Sequence, residues 1–446
     1  MIVYTSRWVL PISRPSIEYG AVGVERDRIA YVGPVSEAPE AERIDLGECA
    51  LMPGLVNTHS HLELTAMRGW LEDLPFRKWV IRLTKARQEI MSPERLLASA
   101  RLGIAEGLLA GITTYADTSE SGAVHQAMRE MGVRGLMYLE VFGPQPSQSR
   151  PALQALGHRV AALRSADTTL VRCGISPHAP YSVSDELFAG AAEMAIAEQL
   201  PIAVHAAESD AEHRLVTEAE GDFADALRAR GIDVAARGVS TIALLDRTGV
   251  LRARPLLIHC VRAGRDDIRR IADNGCAVAH CPASNAKLGH GIADLAGLLD
   301  AKVAVGIGSD SVASNNRMDL LDEARLAVLL ARAVGRRWDS FSAALGLELA
   351  TIGGARALGL QAEIGELDVG KAADLAAFPL DGLHAQPVQD PESALLFATS
   401  GRGATLVTVA GRELVRNGLL LYPTAADLSV MRQAATELRR FAAEGA

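Results

Sequence analysis

At 446 residues, 49% hydrophobic and 22% charged, the chain is long enough for a large domain and a smaller one, with the composition of a globular protein. A net charge of −9 weighs against non-specific nucleic-acid binding, and no lysine/arginine run suggests a membrane-surface patch. Met1–Trp8 lacks the pattern of a signal peptide, no apolar stretch of about 18 residues predicts a membrane span, and the five cysteines, odd in number and without a Cys-x-x-Cys pair, point to reduced thiols in a cytoplasmic protein.

Residues 1 to about 50 read as short strands and turns: Tyr19–Val24, Arg28–Val32 and Cys49–Met52 are apolar or alternating, and Gly33-Pro34 breaks one of them. They resemble half of a small β-sandwich. From Gly54 the pattern changes. Apolar runs recur at Gly54–Asn57, Gly111–Ala116, Gly135–Val141, Val171–Ser176, Pro201–Val204, Pro255–Ile258, Cys276–Ala279 and Val303–Gly308. Amphipathic stretches separate them; Leu97, Ala100, Ile104 and Leu108 share one helical face. Eight apolar strands alternating with helices predict an α/β fold, a (β/α)8 TIM barrel over residues 54–359. Past Gly359 the turn-rich Ile364–Leu375 and the strand-like Ala404–Gly411 predict the other half of the sandwich, so residues 1–53 and 360–446 would form one composite domain. Leu428, Met431, Ala435, Leu438 and Phe441 mark a C-terminal helix within it.

In such a barrel all strands end at the same face, where active sites collect. Here five of the eight end in histidine: His59 and His61 after the first, His178 after the fourth, His205 after the fifth, His259 after the sixth and His280 after the seventh. Glu208 follows His205 by three residues, and Asp310 follows the eighth strand. Residues i and i+2 of a strand share a face, so His59 and His61 present two ring nitrogens to one point. Further polar ends of this kind from distant strands point to a metal site. His290, in a glycine-rich loop, is a candidate for the pocket mouth; His125, His158, His213 and His384 receive no role.

The segments PGLVNTHSHLE, SPHAPYSVS, VHAAES, IHC, AHCPASNAKLG, GIGSDSVASNN and GELDVGKAADL resemble those of the amidohydrolase superfamily over nearly the whole chain. They are most similar to its aminohydrolase branch, which includes S-adenosylhomocysteine/methylthioadenosine deaminases, aminodeoxyfutalosine deaminases, guanine deaminases and triazine hydrolases. The resemblance implies that His59, His61, His205 and Asp310 hold one divalent metal ion, and three imidazoles with one carboxylate suit Zn²⁺ or Fe²⁺. Such an ion lowers the pKa of a bound water from 15.7 towards about 7. The resemblance further implies that Glu208 shuttles a proton from that water to a ring nitrogen, while His259 and Asp310 orient the attacking oxygen and help protonate the departing ammonia. His280 stays outside the metal set, as a structural group or pocket wall.

The substrate expected on the same ground is a small molecule carrying an adenine ring, a 5′-modified adenosine. Guanine, 8-oxoguanine, a pterin or a triazine is the alternative, and an inactive assembly protein a third reading. His178, Ser284 and Asn285 are candidate substrate contacts. Glu63 is another, or else a partner of a metal-bound histidine. The position where adenosine-type deaminases carry a ribose-binding glutamate falls on Gln88, with Glu89 beside it. The segment His61–Trp79, with its Leu, Met, Trp and Phe side chains, would cover the base and exclude water, or Phe76 and Trp79 would instead pack the loop onto the barrel; Arg134 or Arg150 would meet a substrate carboxylate. Relatives often form dimers or larger assemblies, so a homo-oligomer is expected.

Overall fold

A computed structural model describes residues 1–399 and 403–444. Eight parallel strands lie where the eight apolar runs predict them: β1 (Leu55–Ser60), β2 (Ile112–Ser119), β3 (Arg134–Val141), β4 (Val171–Pro177), β5 (Ala203–Ala206), β6 (Leu256–His259), β7 (Ala277–His280) and β8 (Ala304–Ile307). They form two sheets, β1 to β4 and β5 to β8. Single parallel bridges, Ile175 to Ile202 and Ser60 to Asp310, join the sheets at both seams and close an eight-stranded ring. Several strands run past the end of their apolar run. β1 continues through Thr58, His59 and Ser60, and β5 through His205. Hydrophobicity stops where side chains turn polar to face the site, but the backbone pairing does not.

The ring interior is filled by Val56, Ala116, Leu136, Tyr138, Ala203, Ile258 and Ala279. The outer strand faces pack on helices such as Pro93–Leu109 and Leu320–Gly335 in a larger core. Both chain ends contribute to one nine-stranded sheet, in which Leu375–Pro379 pairs antiparallel with Cys49–Pro53. Its apolar side is built from Tyr4, Val22, Ile29, Leu51, Leu375 and Leu406. The helix Ala425–Glu444 lies against Pro93–Leu109 and the segment after β1; Trp70 Nε1 donates to the Leu438 carbonyl at 2.9 Å. Arg134, considered above as a substrate contact, starts β3 and so sits at the opposite end from the histidines. Its guanidinium donates to buried Asp374 at 2.8 Å and ties the barrel floor to the nine-stranded sheet. Among the described residues no helix is long and apolar enough to cross a membrane.

Candidate metal and catalytic site

The strand ends bring His59, His61 and His205 together, and Asp310 with them. A ring nitrogen from each of the three histidines falls in one group no wider than 4.8 Å. His205 Nε2 lies 3.3 Å from His61 Nε2, and Asp310 Oδ1 lies 3.2 Å from His59 Nε2 and 3.6 Å from His61 Nε2. Two strand contacts hold this geometry. The Asp310 amide donates to the His59 carbonyl at 2.9 Å, and Asn57 exchanges hydrogen bonds with Ser309. Gly308 permits the close approach, because a Cβ there would stand 2.9 Å from His59 Cβ.

The donor set fits a divalent cation. Burial lowers the pKa of all three imidazoles, His61 to about 3, so they are neutral lone-pair donors at neutral pH. Burial opposes the charge of Asp310, but His59, whose Nε2 lies 3.2 Å from Oδ1, holds its carboxyl well below the usual range. The His205 Nδ1–H faces the His178 carbonyl at 3.2 Å, which leaves Nε2 to point at the cluster. His59 Nε2 is buried without a hydrogen-bond partner among the described residues. An orphaned nitrogen aimed at two more nitrogens and a carboxylate is what a cation would satisfy.

Glu208 and His259 adjoin this cluster. Glu208 is 4% exposed, and its Oε1 lies 3.6 Å from His259 Nε2 and 3.4 Å from His290 Nε2. Burial opposes its charge, but His259, with His290 beside it, holds it below the ordinary carboxylate value. The Glu212 carboxylate grips the backbone beneath it, accepting from the Ala207 and Glu208 amides at 2.8 and 3.2 Å and from Thr241 at 2.6 Å. Non-glycine residues with positive φ gather here, namely Ala207, His259, Cys260 and Asp310, at 53°, 74°, 51° and 56°. Each such conformation costs of order 1–3 kcal/mol and persists where the surroundings dictate it.

Asn285, expected at the substrate, is 2.9 Å from His259 instead, its Oδ1 accepting from Nδ1–H. That contact directs His259 Nε2 toward Glu208. Asn285→Ala is therefore expected to lower kcat about 10- to 100-fold with little change in KM. Steady-state kinetics would separate this from a substrate contact, which would raise KM. Ser284, also expected at the substrate, donates to Asp310 Oδ2, as does Ser314 at 3.2 Å.

The helix Phe76–Ile90 does not bring Gln88 or Glu89 to the cluster; both are exposed. It buries Trp79, Ala86 and Ile90 and turns Arg87 inward, where the guanidinium donates to Glu63 Oε1 at 2.6 Å and to Glu120. Gln88 lies about 200° around the axis from Ala86, and Glu89 the same from Arg87. Glu63 also accepts from Ser121, so both its oxygens are engaged within the protein. Phe76 packs edge-on against His290 at 4.5 Å, beside Phe223 and Tyr181, while Trp79 belongs to an apolar cluster with Leu64, Met67 and Leu71. Arg150 is exposed. His280 is buried, its pKa pushed down to about 4, with Nδ1 unpartnered.

Sequence reasoning missed Glu140. It ends the interior column Leu136, Tyr138, Glu140 of β3 and lies 4.0 Å from His178. Burial, with Glu63 beside it, pushes its carboxyl up to about 8. The period-2 register of that run was the available signal.

An amidohydrolase family model matches residues 50–414. The 5-methylthioadenosine/S-adenosylhomocysteine deaminase of Moorella thermoacetica is 33% identical over 416 residues, 92% of this chain and 93% of that protein. Among solved structures, an adenosine deaminase from Xanthomonas campestris with bound zinc superposes with a TM-score of 0.88 at 31% identity, covering 98% of both chains. Atrazine chlorohydrolase from Arthrobacter aurescens, complexed with zinc, gives 0.84 at 27% identity over 98% of this chain and 100% of that one. With strand ends that converge as described and a family match over most of its length, the chain belongs to the amidohydrolase family.

Proposed function

We propose that the protein is a zinc-dependent hydrolytic deaminase of the adenine ring in 5′-modified adenosines such as methylthioadenosine, S-adenosylhomocysteine or aminodeoxyfutalosine. The observation that carries this reading is the convergence of His59, His61, His205 and Asp310 beside a buried Glu208, in a chain 33% identical to a methylthioadenosine/S-adenosylhomocysteine deaminase. Those four residues would hold one zinc ion per subunit, with iron(II) also compatible with the donor set. When bound, the ion lowers the pKa of a coordinated water towards about 7 and so supplies hydroxide at neutral pH.

The protein's own groups do the rest. Glu208 takes the proton of the attacking water and delivers it to a ring nitrogen, which makes the adjacent ring carbon electrophilic. His259, aligned by Asn285, and Asp310 orient the attacking oxygen and help pass a proton to the departing ammonia. His178 contacts the substrate, and Phe76, Tyr181 and Phe223 form an apolar wall that limits bulk water.

We also propose a cytoplasmic homo-oligomer. The division is a sandwich of residues 1–53 and 360–446 around a barrel of residues 54–359, supported by the pairing of Cys49–Pro53 with Leu375–Pro379. The 0.84 TM-score to atrazine chlorohydrolase favours a second reading, hydrolysis of another N-heterocycle. Ammonia and chloride release by zinc-loaded protein would be measured on adenosine, methylthioadenosine, S-adenosylhomocysteine, guanine, a pterin and a chlorotriazine. The adenosines should be fastest. Turnover confined to the other rings would move the assignment to the second reading, and silence on all of them would overturn both.

A further inference from the structure

Two polar side chains face each other beside His205 of the metal cluster. His178 Nδ1 lies 2.7 Å from Ser182 Oγ, which also reaches the Ala179 carbonyl at 3.1 Å. That contact engages Nδ1 and leaves Nε2 for a second partner. Across from it, 4.0 Å away, stands Glu140 Oε1. Glu140 is 7% exposed, and among the described residues this oxygen has no hydrogen-bond partner. At that separation the two do not satisfy each other, and a buried unpaired oxygen is costly. Two hydroxyls in adjacent positions, each able to donate or accept, satisfy both whichever protons Glu140 and His178 carry. On the helix Phe76–Ile90, Gln88 and Glu89 are exposed, and both oxygens of Glu63 are taken by Arg87 and Ser121.

We infer that Glu140 and His178 together receive a vicinal diol of the substrate, the sugar hydroxyls of a nucleoside, and that Glu140 is a specificity-determining residue. This rests on the deaminase reading above and identifies where that reading recognises the sugar.

The test compares kcat/KM for adenosine, 2′-deoxyadenosine and 3′-deoxyadenosine in zinc-loaded wild type, Glu140→Ala and Glu140→Gln. Calorimetric affinities for inosine and its deoxy forms provide a readout independent of turnover. Wild type should prefer adenosine to at least one deoxy analogue by about 10- to 100-fold, the range for leaving a buried polar group unpaired. In Glu140→Ala that ratio should fall to near parity. Glu140→Gln, which keeps an acceptor oxygen and the side-chain shape, should lie between, and reports if the alanine variant does not fold. Inosine binding should follow the same order. A wild type without the preference, or a preference that survives in Glu140→Ala, overturns this inference alone. A wild type active on no adenosine overturns the deaminase reading and this inference with it.

Discussion

Glu208→Gln is expected to reduce kcat by about 10²- to 10⁴-fold while leaving zinc content and inosine affinity close to wild type. The substitution keeps the size of the side chain and its capacity to accept a hydrogen bond, but glutamine cannot carry a proton between the attacking water and the ring. Glu208 Oε1 is 3.6 Å from His259 and 3.4 Å from His290, and it is outside the four-residue metal set, so the change should act on chemistry rather than on loading. A loss of that size corresponds to about 3–5 kcal/mol of transition-state stabilisation. Turnover, metal content and product affinity measured on one preparation discriminate the outcomes. Near-normal turnover would remove the shuttle role and pass it to His259, whereas a parallel loss of zinc would mean that Glu208 supports the metal cluster.

What was legible in the sequence follows from a rule of the fold. Barrel strands are buried on both faces, so they read as apolar runs, and the residue that ends each run points at one common face. His59, His61, His205, His259 and Asp310 could therefore be collected without knowing how the helices pack. The same rule, applied fully, assigns Arg134. It precedes its run and so belongs to the floor, where it pairs with Asp374. Gln88 and Glu89 were harder, because a helix face depends on which residues its neighbours bury. Here Trp79, Ala86 and Arg87 decide it, and the last of these is turned by Glu63, 24 positions earlier. Asn285 and Ser284 were placed near the right centre, and the structure adds partners that spacing could not show: their distance from His280 shows that they reach the site, not that Asn285 meets His259 and Ser284 meets Asp310. Glu140 was hidden because one acid inside an apolar run does not change how the run reads.

Removing the metal anchors should have the largest effect of all. In His205→Ala, zinc is expected to fall from one per chain towards none, and deamination with it. The logic is in the donor geometry. His205 Nε2 lies 3.3 Å from His61 Nε2, and its Nδ1 is engaged by the His178 carbonyl, so the ring is fixed at the cluster and its loss leaves two of the three proposed imidazole ligands. A pH series provides an independent check of the same cluster. Burial depresses the pKa of His59, His61 and His205 below the ordinary histidine value, His61 to about 3. A ligand whose pKa is lowered stays unprotonated as pH falls, so protons should begin to displace zinc only well below pH 6.5, the value of a free histidine. Elemental analysis after dialysis at stepped pH would measure this directly. Release centred at pH 6.5 would mean ligands in a solvated setting unlike the buried cluster, and full turnover by zinc-free protein would overturn the metal-dependent mechanism.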